Sequence, residues 1–123
     1  MRPQSAKEKG RRFQKWVCAR MLERTTGILE ADDVQSRGMG GAGEDVMLSP
    51  AARRIFPISS ECKNQESLSI WAAMKQAEGN SGIYTPVLFL TRNRTPEYAV
   101  LPAEDLLDLY VELHHLRKGQ DNK

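Results

Sequence analysis

Long hydrophobic runs are missing from this sequence of 123 residues, and its basic start is not followed by the apolar stretch of a secretory signal peptide. We therefore expect no membrane partner. Cysteine is also scarce, because the chain contains only Cys18 and Cys62, and these form neither a disulfide framework nor a metal-binding motif. Two isolated thiols are typical of a reduced, cytoplasmic protein.

Charge of one sign is not in large excess either, since the formal net charge is +2. Hydrophobic residues make up 40% of the chain and charged residues 28%, which is typical of a soluble globular protein. This composition and length predict one domain spanning residues 1–123, with residues 1–4 and 117–123 as flexible ends.

The distribution of charge says more than the total. Residues 1–24 contain eight basic residues against two acidic ones, whereas residues 97–115 contain five acidic residues and no Lys or Arg. A basic first helix is typical of a protein that binds a polyanion, although a solvated helix face gives the same pattern.

Hydrophobic spacing and turn residues predict the element order α-β-β-β-α-β-β-α, a mixed α/β fold with one five-stranded sheet flanked by helices. Trp16, Trp71 and Phe89 lie on apolar faces and are expected in the core. A Gly-rich loop is predicted at residues 38–43 and a short connector between two paired strands at 49–54. The predicted helices cover residues 5–24, 68–78 and 102 onward, and the predicted strands cover 34–37, 45–48, 56–63, 86–91 and 97–101.

Three chemically active residues lie in the second and third predicted strands. Because side chains alternate along a strand, Glu61 and Lys63 point to one face and Cys62 to the other. A hairpin between the two strands would bring Asp45, which begins the second strand, beside Glu61. Two carboxylates and an ammonium group would then share one face of the sheet.

Such a group of residues can hold a divalent cation and cut a phosphodiester. Mg²⁺ prefers oxygen ligands and keeps several waters, so Asp45, Glu61 and the Cys62 carbonyl would suffice, and Mn²⁺ can substitute for Mg²⁺. Lys63 would orient or deprotonate the attacking water, or stabilise the transition-state charge. The two neighbouring carboxylates are expected to raise each other's pKa. The alternative is an ordinary exposed Glu–Lys pair on an edge strand, since Glu-x-Lys is a common tripeptide.

These residues carry a resemblance to a known group of enzymes. The chain resembles the PD-(D/E)XK nuclease superfamily, with Asp45 at the first acidic position and Glu61-Cys62-Lys63 at the (D/E)XK position. Within it, the Lys9-Gly10 pair and the run from Val34 to Gly38 are most similar to archaeal-type Holliday junction resolvases.

The resemblance implies a restriction-endonuclease-like core and a Mg²⁺-dependent endonuclease that cuts branched DNA as a homodimer. It also implies that Gln76 lies near the catalytic water and that Ser36 and Arg37 lie in a loop that meets the DNA backbone. The small size suggests a phage-encoded enzyme, acting in the host cytoplasm. Where the family has a metal-binding Glu, this chain has Gln14, which can still coordinate through its carbonyl oxygen.

Two other interpretations remain open. The chain can be a nickase, a flap nuclease or another repair or replication nuclease of the same superfamily. It can also be a non-catalytic nucleic-acid-binding module, which Gln14 favours. In each case several side chains are predicted to contact phosphates: Lys7, Lys9, Arg11, Arg12, Lys15, Arg53, Arg54 and Asn64.

Overall fold

The computed structural model describes residues 5–38 and 43–121 of the chain. Most of the predicted Gly-rich loop, residues 39–42, lies outside the described residues, as do the predicted flexible residues 1–4 and 122–123. In the described part, the helices are α1 (Ala6–Glu23), α2 (Pro50–Ile55), α3 (Ile70–Asn80) and α4 (Ala103–Asp121), with a 3₁₀ turn at Ala31–Asp33. The strands are β1 (Val34–Ser36), β2 (Val46–Leu48), β3 (Ile58–Asn64), β4 (Thr85–Thr91) and β5 (Tyr98–Val100).

The fold is mixed α/β, as predicted, but the strands form two sheets rather than the single five-stranded sheet expected. β1 and β2 pair antiparallel, while β3 pairs parallel with β4, and β4 pairs antiparallel with β5. Between the two sheets, one backbone hydrogen bond runs from Asp45 N–H to the Ser60 carbonyl at 2.8 Å. β2 is only three residues long and α2 then leads the chain away, so no ladder with β3 develops.

The connector between β2 and β3 is the helix α2, so the predicted hairpin is wrong. The Ser49 hydroxyl accepts a hydrogen bond from Ala52 N–H at 3.1 Å, and Pro50 occupies the first helical turn. A serine cap followed by proline is a standard start signal for a helix. The signal is present in the sequence, but the segment is only six helical residues long.

Helices cover the two faces of the β3–β4–β5 sheet unequally. On one face, α1 buries Phe13, Val17 and Met21 in a core that includes Cys62 of β3. On the other face, α3 packs Ala73 and Met74 against Leu88, which is fully buried. The start of α1 is capped by Ser5, whose hydroxyl accepts a hydrogen bond from Glu8 N–H at 3.2 Å.

Trp71 is not in the core, contrary to the prediction. It is 88% exposed, because the buried face of α3 is formed by Ala73, Met74 and Ala77, and Trp71 lies about 200° around the helix from Ala73. Phe89, which was also predicted to lie in the core, is half-buried.

Helix α4 packs only marginally against the other described elements. It extends to Asp121, past the residue at which a flexible end was predicted to begin. Across residues 5–38 and 43–121, no helix combines the length and the hydropathy needed to cross a membrane.

Candidate metal-binding and catalytic cleft

A polar cleft of about 250 Å³ opens where the start of α1, the strand β3 and the helix α3 meet. The predicted residues Asp45, Glu61, Cys62 and Lys63 all line it. So do the residues assigned from the resemblance or as phosphate contacts: Gln14, Gln76, Lys7 and Asn64. Residues that lie far apart in the sequence therefore meet around one cleft.

Three hydrogen bonds, two from its backbone and one from its side chain, hold Asp45 at the wall of the cleft. Its N–H donates to the Ser60 carbonyl, and its own carbonyl accepts from Arg37 N–H, both at 2.8 Å. Its carboxylate oxygen Oδ2 accepts from Cys62 N–H at 2.7 Å. The side chain is thus fixed beside β3 without the hairpin that the sequence suggested.

Alternation along β3 orients the other two residues as predicted. Glu61 is 3% exposed, and the Lys63 Nζ lies 3.8 Å from Glu61 Oε1. Cys62 is buried among the side chains of the α1 core, so it contributes backbone atoms to the cleft. The alternative of an exposed surface pair does not hold for Glu61, which is almost completely removed from solvent.

Three buried oxygen atoms of residues that line this cleft have no hydrogen-bond donor among the described residues. They are Glu61 Oε2, Gln14 Oε1 and Asn64 Oδ1. Leaving a buried acceptor unpaired costs about 1–3 kcal/mol, and more for a charged group. Such a cost is tolerated where the acceptor has a partner that is not part of the chain.

This donor set fits a hard divalent cation. Carboxylate and carboxamide oxygens are the ligands that Mg²⁺ prefers, and the cleft offers both near one another. Among the described residues no group of three or more His, Cys, Asp or Glu side chains is placed to hold a metal. A cation here would therefore depend on two carboxylates, with neutral oxygens and water as the remaining ligands.

Burial raises the pKa of both carboxyl groups, and repulsion by Asp45 adds to the increase at Glu61. For Glu61 the largest cause is desolvation, followed by the charge of Asp45, while Lys63 and the Asn80 side chain lower the pKa. For Asp45 desolvation again comes first, and the Cys62 N–H and the charges of Lys63 and Arg37 oppose it. The predicted increase in both pKa values is confirmed in direction, but burial is the largest cause at each group and repulsion contributes only at Glu61. Sequence alone could not show this burial.

The predicted basic residues divide into those at the cleft and those elsewhere. Lys7 lines the cleft, whereas Arg11, Arg12 and Lys15 are exposed along an outer face of α1. Lys9 bridges distant segments, because its Nζ donates to Asn93 Oδ1 at 3.0 Å and lies 4.0 Å from Glu66.

The other predicted DNA contacts lie outside the cleft. Ser36 borders a separate depression beside Lys15. The Arg37 Nε donates to the Glu44 carbonyl at 2.6 Å. Arg53 forms an ion pair with Glu44, donates to the Ile58 carbonyl and stacks on the Tyr84 ring at 4.3 Å from its centroid.

The guanidinium group of Arg53 is thus occupied by contacts within the chain, while Arg54 is exposed. A role for either in phosphate binding stays a prediction.

Several residues of the site were missed by sequence reasoning. Gly10 and Gly38 line the cleft, and the Asn80 side chain favours the charged form of Glu61. Gly10 lies one helical turn before Gln14, a spacing that could have placed it on the same face. Asn80 ends α3, and in the sequence it is one of several residues that simply mark the helix end.

No family model, curated protein or solved structure matches this chain. The functional argument therefore depends on the geometry and chemistry of the cleft.

Proposed function

We propose that this protein is a metal-dependent DNA endonuclease of the PD-(D/E)XK type. The observation that carries the proposal is the meeting of Asp45, Glu61 and Lys63 at one cleft, where buried oxygens of Glu61 and Gln14 have no donor within residues 5–38 and 43–121. The motif spacing, which resembles that of the superfamily, supports the same conclusion.

The proposal extends to the fold. A restriction-endonuclease-like core would join β1–β2 and β3–β4–β5 into one five-stranded sheet. The hydrogen bond from Asp45 N–H to the Ser60 carbonyl supports this arrangement, because it already links the two sheets at the site itself.

The carboxylates of Asp45 and Glu61 would hold Mg²⁺ or Mn²⁺, with Gln14 Oε1 and the Cys62 carbonyl as neutral ligands. When bound, such a cation neutralises charge on the phosphate and makes a coordinated water more acidic. The Asp45 carboxylate already accepts a hydrogen bond from Cys62 N–H, so little side-chain entropy would be lost when it binds.

Lys63 is placed to act on the attacking water or on the developing negative charge. Its Nζ is partly exposed at the cleft and lies within 4 Å of Glu61 Oε1. An ammonium group there can orient a water by hydrogen bonding and stabilise a more negative transition state. Gln76, on the α3 side of the same cleft, can also hydrogen-bond this water.

Branched DNA is the substrate we propose, and a homodimer the active form. A junction needs two symmetric cuts, one chain offers one such cleft, and a two-fold dimer would supply the second. The resemblance to Holliday junction resolvases supports this choice over a nickase or a flap nuclease. The non-catalytic alternative is favoured by Gln14, which brings no charge to the cleft.

The test compares four labelled substrates, a four-way junction, a flap, a linear duplex and a single strand, each with Mg²⁺ or Mn²⁺. We expect paired symmetric cuts in the junction and no comparable cleavage of the other three. Cleavage of a flap or duplex would keep the nuclease and replace its substrate. Tight binding with no cleavage of any substrate would establish the non-catalytic alternative.

Replacing Arg11 and Arg12 with Gln should weaken binding to every DNA sequence. Each lost phosphate contact lowers the slope of log K against log salt by about 0.9, so the double variant should lose nearly two units of slope. A salt titration monitored by fluorescence anisotropy measures this. The matched control, Arg117→Gln with Lys118→Gln, removes the same charge from α4 and should leave the slope unchanged. An unaltered slope in the first variant would remove this face of α1 from the interface.

A further inference from the structure

The turn that joins β4 to β5, residues 92–95, lies beside the cleft. Because β3 and β4 are parallel, their carboxyl ends lie at the same edge of the sheet, and Asn64 pairs with Thr91 there. Gln65, which lines the cleft, donates its N–H to the Thr91 carbonyl at 3.2 Å. The β4–β5 turn therefore begins one strand spacing, about 4.8 Å, from a wall of the cleft.

Two further hydrogen bonds hold the β4–β5 turn against the segments that form the cleft. Asn93 N–H donates to Glu66 Oε1 at 3.0 Å, and Asn93 Oδ1 accepts from Lys9 Nζ at 3.0 Å. Glu66 lies between β3 and α3, and Lys9 lies near the start of α1, next to the cleft residue Gly10. The Glu66 carboxylate is also 4.0 Å from Lys9 Nζ, so its charge is compensated by this contact within the chain.

The β4–β5 turn presents two exposed arginines, Arg92 and Arg94. Neither forms an ion pair within residues 5–38 and 43–121. The Arg92 Nε donates to Thr95 Oγ1 at 3.3 Å, and Thr95 N–H donates to the Arg92 carbonyl at 3.2 Å, so the turn is closed by its own hydrogen bonds. Glu97, two residues after the turn, borders a separate apolar groove beside Arg20.

Arg94 has a backbone conformation that arginine rarely adopts. Its φ is 59°, in the left-handed region, and in the described part of the chain it is the one residue other than glycine with a positive φ. Glycine adopts this conformation at lower cost, because it has no Cβ to approach the following carbonyl oxygen. An arginine here therefore reduces stability, and its exposed side chain forms no ion pair with the described residues that would offset the loss.

We propose that the β4–β5 turn is a second phosphate-binding surface for the DNA at the cleft, with Arg92 and Arg94 as its contacts. The inference rests on the proposed function, because it takes DNA as the ligand. Phosphates of one strand follow one another about every 3.4 Å along the helix axis, so a strand with its scissile phosphate in the cleft passes the turn within a few nucleotides.

The chemistry and the rigidity of the β4–β5 turn suit this role. A guanidinium group binds phosphate oxygens through two parallel hydrogen bonds, which fix orientation as well as supplying charge. The turn is already held by Glu66 and Lys9, so little backbone entropy is lost when DNA binds. A solvated turn without a ligand would carry the same two charges, and in that case replacing them would leave DNA binding unchanged.

Arg94→Gly should raise the melting temperature of the chain by a few degrees while weakening its binding to DNA. Glycine removes the strain of the left-handed conformation, and this gain outweighs the greater freedom of glycine in the unfolded chain. Arg94→Lys is the matched variant, since it keeps both the charge and the backbone strain. It should therefore equal the wild type in melting temperature and in the salt dependence of binding.

Binding is measured by fluorescence anisotropy on a labelled four-way junction and a linear duplex, across a salt titration in EDTA so that no cleavage occurs. The Arg92→Gln, Arg94→Gly double variant should lose nearly two units of the slope of log K against log salt, about 0.9 for each phosphate contact. Lys118→Gln removes a positive charge from the last turn of α4 and should keep the wild-type slope.

The outcomes separate this inference from the proposed function. A wild-type chain that binds neither DNA would refute both. Wild-type binding with a slope that the double variant leaves unchanged would overturn the phosphate-binding turn alone. A lower melting temperature for Arg94→Gly would also overturn it, because Arg94 would then support the fold rather than the DNA.

Discussion

Glu61→Gln should abolish DNA cleavage while leaving DNA binding nearly intact. The substitution keeps the size of the side chain but removes the negative charge that a cation requires, at a position 3% exposed to solvent. Changes one shell beyond a metal ligand cost about 10–100-fold in affinity or activity, so loss of a direct ligand should cost more than about a hundredfold. Binding should survive because the phosphate contacts are predicted to come from Lys7, Arg11, Arg12 and Lys15.

The measurement is single-turnover cleavage of a labelled junction, with gel-shift binding on the same preparation. Asp45→Asn should behave alike, because an Asn carbonyl oxygen can still accept from Cys62 N–H but brings no charge. Glu78→Gln and Asp32→Asn make the same chemical changes at exposed positions and should cut at the wild-type rate. Strong residual cleavage in both cleft variants would refute the assignment of the site.

The placement of Glu61 and Lys63 on one face was predictable because it is a local property of one strand. Period-two alternation in β3 is a property of any strand, so it places Glu61 and Lys63 together whatever surrounds them. The position of Asp45 followed from a hairpin that does not exist, since α2 intervenes. The residues met nonetheless, because one backbone hydrogen bond and one side-chain hydrogen bond hold Asp45 to β3.

What could not be predicted depends on contacts between distant segments. Arg53 contacts Glu44, Ile58 and Tyr84. The local pattern of charge in the sequence does not predict these contacts. The exposure of Trp71 follows from which face of α3 meets Leu88, and an apolar spacing alone does not select that face. The single five-stranded sheet is not shown among the described residues for a similar reason, because the length of a ladder between β2 and β3 depends on where α2 leads the chain.

The paired carboxylates should make the chain less stable without metal as the pH rises. The folded-state pKa of Asp45 and of Glu61 is raised above the ordinary value, so between the two values the folded chain binds more protons than the unfolded chain. The free energy of unfolding therefore falls as pH increases through that interval and stays lower at neutral pH. A bound cation would remove this loss of folding stability.

Mg²⁺ should accordingly raise the melting temperature of the wild-type chain at neutral pH. A ligand at a hundred times its Kd stabilises by about 2.7 kcal/mol, which for a domain of this size corresponds to roughly 10 °C. Glu61→Gln should melt higher than the wild type without metal, because it removes a desolvated charge, and should gain little from Mg²⁺. Gln14→Glu should do the opposite, melting lower without metal and responding to less Mg²⁺, since it adds a third carboxylate to the cleft.

Differential scanning calorimetry across a Mg²⁺ titration measures all three chains, with Glu78→Gln as the control expected to follow the wild type. If Gln14→Glu leaves the Mg²⁺ dependence unchanged, Gln14 is not near the metal. If Mg²⁺ does not change the melting temperature of the wild type while cleavage is intact, the cation binds together with the DNA. Phosphate oxygens of the DNA would then complete the coordination that Asp45 and Glu61 do not complete alone. A wild type that neither shifts nor cleaves would leave the buried oxygens of Glu61 and Gln14 without the partner we assign to them.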